Sequence, residues 1–109
     1  MEIIDTTGVA PYDPERFAAA VVARGEHSNV RVFRLSNGQA LPPHTHAESD
    51  VVLFVVEGAG VIETESGPQP FPSGSLATFR GSEELRVSNP DAAGLTFLAF
   101  FAPAFPPVR

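Results

Sequence analysis

The chain contains no cysteine. Disulfides, thiolate zinc centres and a cysteine nucleophile are therefore excluded. Basic residues are scarce: seven Lys and Arg stand against thirteen Asp and Glu, a formal net charge of −6 over 109 residues. Nucleic-acid backbones and anionic membrane surfaces are held by basic patches, so neither is expected as a partner. Long hydrophobic runs are missing too. Apolar stretches such as "VVLFVV" (51–56) fall far short of a membrane span. The first residues, "MEIIDTTG", have neither a basic start nor an apolar stretch, so they do not read as a signal peptide, and a cytoplasmic protein is expected. Phosphate loops, nucleophile elbows and dinucleotide-binding glycines are absent. There is no internal repeat and no low-complexity tract.

What is present is a globular composition, 43% apolar and 18% charged, at a length that suits one domain over residues 1–109. Proline (11) and glycine (9) cut the chain into strand-length segments rich in Val, Phe, Leu and Thr. These are 29–35, 51–56, 60–65, 75–79, 85–88 and 95–101, with turn signals "SNG", "EGAG", "SGPQP", "PSG" and "NPD" between them. Short strands at close spacing predict an all-β sandwich or barrel.

Residues 13–25, "DPERFAAAVVARG", admit two readings. Asp13 could cap a helix that has Pro14 in its first turn and stops at Gly25. Alternatively 18–24 is a strand, joined to 29–35 by a tight "GEHS" turn, and this hairpin is preferred. Two segments are apolar on both faces. Val51, Leu53 and Val55 oppose Val52, Phe54 and Val56; Leu95, Phe97 and Phe101 oppose Leu98 and Phe100. A barrel wall needs only one apolar face, so a second sheet or a partner chain should cover the other, and a homodimer is expected.

The chemistry concentrates at His44 and His46. Residues two apart on an extended strand share a face, so both imidazoles could meet one ion. Two half-exposed histidines at a strand start are the plainer reading of an isolated pair. Nearby carboxylates are Glu48, Asp50, Glu83 and Glu84. All four suit solvated loops, but Glu48 would share the face of His46 if the strand continued. His27 falls in the "GEHS" turn and reads as a surface residue. Arg80 reads as a surface residue that could also meet an anion. Asn89, before Pro90 and Asp91, reads as part of a turn.

The spacing around the histidines carries a family resemblance. Gly38, five residues, His44, one residue, His46, then Val51 after four and Gly58 after six more, match the first cupin motif at every step. Only its glutamate is missing, with Val51 in that place. Gly74 and Asn89 match the ends of the second motif, while Arg80, Ser82 and Leu85 depart from it. The sequence thus resembles a small single-domain cupin of the RmlC-like, conserved-barrel kind, with motifs at 38–58 and 74–89. The tail "LTFLAFFAPAFPP" is similar to the family's last strand and exit.

The resemblance implies a double-stranded β-helix, the jelly-roll barrel, with a short N-terminal extension and an interior pocket. It implies metal ligands at His44 and His46; Glu48, which shares their face if the strand continues, is a candidate substitute for the third. Val51 and Leu85 stand where the remaining carboxylate and imidazole belong. The expectation is a degenerate site holding a divalent transition metal (Zn, Fe, Ni or Mn) only weakly. Three functions follow, and no reaction is assigned. The preferred one is binding of a small organic ligand in the interior by His44, His46, Val51, Phe79, Leu85 and Phe97. The others are a metal-dependent oxygenase or isomerase with a non-standard third ligand, and a metal-free epimerase or isomerase with a histidine base.

Overall fold

A computed structural model describes residues 1–105. Pro106 and Pro107, at the end of the tail read as the barrel's exit, lie outside the described residues. Among the described residues there are eight strands and no helix: β1 (Ala18–Arg24), β2 (Asn29–Leu35), β3 (Asp50–Glu57), β4 (Ala59–Thr64), β5 (Gly67–Pro72), β6 (Leu76–Phe79), β7 (Val87–Ser88) and β8 (Leu95–Ala102). No helix is long and apolar enough to cross a membrane. The strands form two antiparallel sheets, β1-β2-β8-β3-β6 and β5-β4-β7. This is the double-stranded β-helix expected from the sequence.

The N-terminal ambiguity resolves as the hairpin. β1 pairs antiparallel with β2, and the Gly25 N–H donates to the Ser28 carbonyl (2.8 Å) to close the turn. Ahead of it, residues 1–17 form no strand. Their Tyr12 hydroxyl bonds Glu57 and Thr96, and Arg34 donates to the carbonyls of Thr6 and Val9.

One segment is corrected. "SGPQP", read as a turn, leads into β5, because Pro68, Pro70 and Pro72 alternate along an edge strand. β5 pairs only with β4, and prolines opposite Glu63, Val61 and Ala59 can turn their donor-less nitrogens away from that partner.

The core lies between the sheets. Val51, Leu53 and Val55 of β3 and Leu95, Phe97, Ala99 and Phe101 of β8 point inward with Phe33 and Leu35. Ile62, Phe71 and Val87 close on them from the second sheet. Phe33 stacks on Phe97 at 5.1 Å, and Phe71 meets Phe97 edge-on at 6.4 Å. Across the inner face, register partners line up in rows. Asn29, Phe101, Val51 and Phe79 form the row nearest one end of the barrel; Arg31, Ala99, Leu53 and Ala77 form the next.

Two glycines are required by close approach. Gly58 has φ +84°, and a Cβ there would lie 2.2 Å from the Gly94 carbonyl. Gly81 lets the histidine loop pass, because a Cβ would lie 2.1 Å from the Ala47 carbonyl.

Candidate functional site

The loop before β3 crosses the barrel end marked by the Asn29–Phe101–Val51–Phe79 row. His44 pairs with Leu85 in an isolated bridge, the Leu85 N–H donating to the His44 carbonyl (2.9 Å). The His46 N–H donates to the Gly81 carbonyl (2.8 Å), and the Ser49 N–H donates back to the His46 carbonyl (3.0 Å). Residues 46–49 are thus a turn, with Ala47 at φ +53°.

The two imidazoles sit 4.3 Å apart, centroid to centroid, in opposite environments. His44 is exposed. Its Nδ1 lies 2.7 Å from the Pro42 carbonyl. A carbonyl only accepts, so Nδ1 is the donor in this contact, which leaves Nε2 for another partner. His46 is 1% exposed. Its ring lies 4.9 Å from Phe105 and 5.5 Å from Phe101. Its Nδ1 is buried with no hydrogen-bond partner among the described residues. Burial, with smaller contributions from His44 and Arg31, pushes its pKa down to about 4, so the ring is neutral at neutral pH.

These residues do not fit a resident transition metal. Val51 (0% exposed) and Leu85 (3%) are apolar core residues at the positions of the missing ligands. Among the described residues no three His, Asp or Glu side chains are placed to hold one ion. Glu48 does not join the histidines. Its candidacy required a continuing strand, and the turn at 46–49 leaves it exposed. Two imidazoles alone supply no charge to balance a dication beside Val and Leu.

The six residues expected to line an interior pocket separate. Val51, Leu85 and Phe97 are sealed in the core, and His46 is enclosed by aromatic rings, so none of the four meets solvent. His44 is exposed, and Phe79 is half-buried. Phe79 does line a cleft of about 940 Å³, together with Glu63, Thr64, Glu65, Ser66, Ser82, Glu83, Glu84 and Arg86. The cleft adjoins the histidine loop through Leu85, His44's bridge partner, which lies between Glu84 and Arg86 in sequence. Glu83 accepts from the Arg80 N–H (2.9 Å), and Glu84 is paired with Arg86. Glu63 and Glu65 stand at the exposed β4–β5 turn.

Asn89 proves structural. Fully buried, it donates to the carbonyls of Leu35 (2.8 Å) and Ala93 (2.9 Å) and accepts from the Asp91 N–H (3.1 Å). His27 and Arg80 are exposed, as expected of surface residues.

Sequence reasoning missed Asn29, Arg31 and Phe105. The signal for two of them lies in "NVRVFRL", where Asn29 and Arg31 share strand parity with the inward Phe33 and Leu35. The Arg31 guanidinium carbon lies 5.6 Å from the Phe101 ring centre and 6.0 Å from that of Phe105, the two rings that flank His46.

No protein-family model matches the chain, and no curated protein matches it in sequence. Solved structures do. The crystal structure of TT1209 from Thermus thermophilus is 30% identical, with 95% of this chain and 99% of that one covered at a TM-score of 0.86. An RmlC-like cupin protein from Desulfovibrio desulfuricans is 24% identical over 96% and 99% of the two chains, TM-score 0.84. A predicted oxalate decarboxylase from Thermotoga maritima is 15% identical over 94% and 99%, TM-score 0.79.

Proposed function

We propose that the chain, which shares the fold of cupin proteins, binds a small organic molecule at the barrel mouth without a resident metal. One observation carries this reading. A cleft of about 940 Å³ opens beside the histidine loop, while the two missing ligand positions are filled by the buried Val51 and Leu85. The ligand would rest on Phe79, hydrogen-bond through hydroxyl or amino groups to the carboxylates of Glu63, Glu65 and Glu83, and reach the free Nε2 of His44. The interior pocket of the sequence expectation is thereby moved outward to the rim.

A fragment screen by two-dimensional amide NMR tests this. Binding fragments should shift the amides of 63–66 and 82–86 and the His44 ring. Hits confined to other surfaces would remove the cleft from consideration. A stoichiometric transition metal in protein purified without added metal would overturn the metal-free reading.

We also propose that the active form is a homodimer. The outer face of the larger sheet carries Val52 beside Phe100 and Phe54 beside Leu98 and Leu76, in register. Phe100 is 39% exposed and Leu76 64%. An apolar sheet face of this kind is self-complementary about a twofold axis, so a second copy is the occupant it suits. Phe100→Arg should convert a dimer to a monomer in sedimentation velocity. A monomeric wild type at high micromolar concentration would refute the proposal.

A further inference from the structure

Arg31 is a half-buried cation on the inner face of the barrel with no carboxylate partner among the described residues. Its Nη2 donates to the Phe105 carbonyl (2.8 Å). Its Nε is buried and has no acceptor. In a guanidinium, Nε–H and Nη2–H lie along one edge and point the same way, the geometry that meets both oxygens of a carboxylate. The Phe105 carbonyl therefore fills half of a two-pronged edge and leaves the other half empty. The second buried polar atom without a partner, His46 Nδ1, belongs to a ring packed against Phe101 and Phe105, the same rings that flank the guanidinium. Leaving two such atoms unsatisfied is costly in a closed structure.

The segment that covers them is held by packing of the Phe105 ring on His46 and Phe101 and by a few polar contacts. The Phe105 carbonyl also accepts from Asn29 Nδ2 (2.9 Å), the Phe105 N–H donates to Asn29 Oδ1 (3.0 Å), and the Ser49 hydroxyl donates to the Pro103 carbonyl (2.6 Å). We propose that the Nε–Nη2 edge of Arg31, with Asn29 and His46, is a receptor for the carboxylate of an organic acid, and that residues 103–105 are a strap over it. On binding, the carboxylate takes the place of the Phe105 carbonyl, Nη2 exchanges one acceptor for another, and Nε gains one. Phe101 supplies an aromatic wall for the acid's apolar part. None of the cleft-lining residues takes part, so the site stands or falls separately from the ligand at the mouth.

Benzoate is the probe, with benzamide as its uncharged counterpart and inorganic phosphate as a non-planar oxyanion. Binding is followed through the Arg31 side-chain Nε–H resonance. Benzoate should shift this resonance saturably, and benzamide and phosphate should not. Arg31→Lys keeps the charge but loses the paired edge, and should weaken benzoate binding roughly tenfold or more. Phe105→Ala, which loosens the strap, should strengthen binding several-fold, with the fold checked by far-UV circular dichroism. Equal responses to benzoate and benzamide, or undiminished binding by Arg31→Lys, would overturn the proposal. An Arg31 Nε–H unmoved by benzoate in both wild type and Phe105→Ala would assign the two unsatisfied atoms to a bridging water instead.

Discussion

Replacing His46 by Phe should leave stability at pH 7.5 nearly unchanged and make the protein markedly more resistant to mild acid. His46 is enclosed by Phe101 and Phe105, so an aromatic ring of similar shape suits the space. The substitution also removes a buried, unpartnered Nδ1, whose desolvation costs about 1–3 kcal/mol. Any loss from the slightly larger ring is therefore offset at neutral pH.

The acid behaviour follows from linkage. His46 titrates near 4 in the fold against an ordinary value of 6.5. Between those values the unfolded chain takes up a proton that the folded one refuses, so stability falls as pH falls. The penalty begins near pH 6.5, grows to about 3 kcal/mol by pH 4 and then levels off. Because part of the charge is screened in practice, about 2 kcal/mol is the working figure. The Phe variant has no such group, so its advantage over wild type should widen by that amount between pH 7.5 and pH 4. The difference between the two proteins cancels the carboxylates, which titrate alike in both. The chain has no tryptophan and one tyrosine, so urea unfolding is best followed by far-UV circular dichroism, at one fixed protein concentration. Parallel stability curves for the two proteins across this pH range would show that His46 is not shielded as the structure has it.

Restoring the absent ligands with Val51→Glu and Leu85→His should produce a protein that retains zinc through dialysis and unfolds later with zinc than without, while wild type does neither. Equal zinc content in the two would refute the account of the donor set. Val51→Glu alone should cost about 3–5 kcal/mol, because it leaves a buried carboxylate without a partner. Asn89→Ala strips the Leu35 and Ala93 carbonyls of a donor and should cost about 2–3 kcal/mol in urea unfolding; a change below about 0.5 kcal/mol would contradict its structural role. Gly81→Ala forces a methyl against the Ala47 carbonyl and should cost about 1–3 kcal/mol. It should also loosen the His46 turn, so the imidazole titration, followed by NMR, should move up from about 4 toward 6.5.

Much of the barrel is legible in the chain because its strands obey a period of two. In 51–56 and 95–101 the inward residues can be named from parity, and each of them is buried, with Thr96 the one outward residue buried as well. β5 escapes that logic. Its prolines are turn residues by composition, and become strand residues only because β5 has a single neighbour, a fact of topology that no local window contains. The site divides in the same way. Spacing places His44, His46, Val51 and Leu85 together, and the His44–Leu85 bridge and the His46–Phe101 contact do so in space. What spacing does not reveal is that one imidazole would be exposed and its neighbour sealed, since the cover on His46 comes from Phe105, far along the chain.

The loss of two ligands has a consequence beyond metal affinity. A carboxylate and an imidazole at the inner end of the barrel would need an ion or water between them, which keeps that end open. Valine and leucine need neither. They pack against Phe101 and the rest of the core, and the interior closes. The polar groups left for a ligand are then His44, the acidic rim around Phe79, and the proposed Arg31 edge with Asn29 and His46 beneath the Phe105 strap. Val51 and Leu85 thus bear on both proposals, the metal-free donor set and the place where a ligand would be held, and the Val51→Glu, Leu85→His pair tests both at once. Zinc uptake by the double variant should be accompanied by solvent exchange at the otherwise buried His46, and a variant that binds zinc with His46 still sealed would separate the metal from the closure of the barrel.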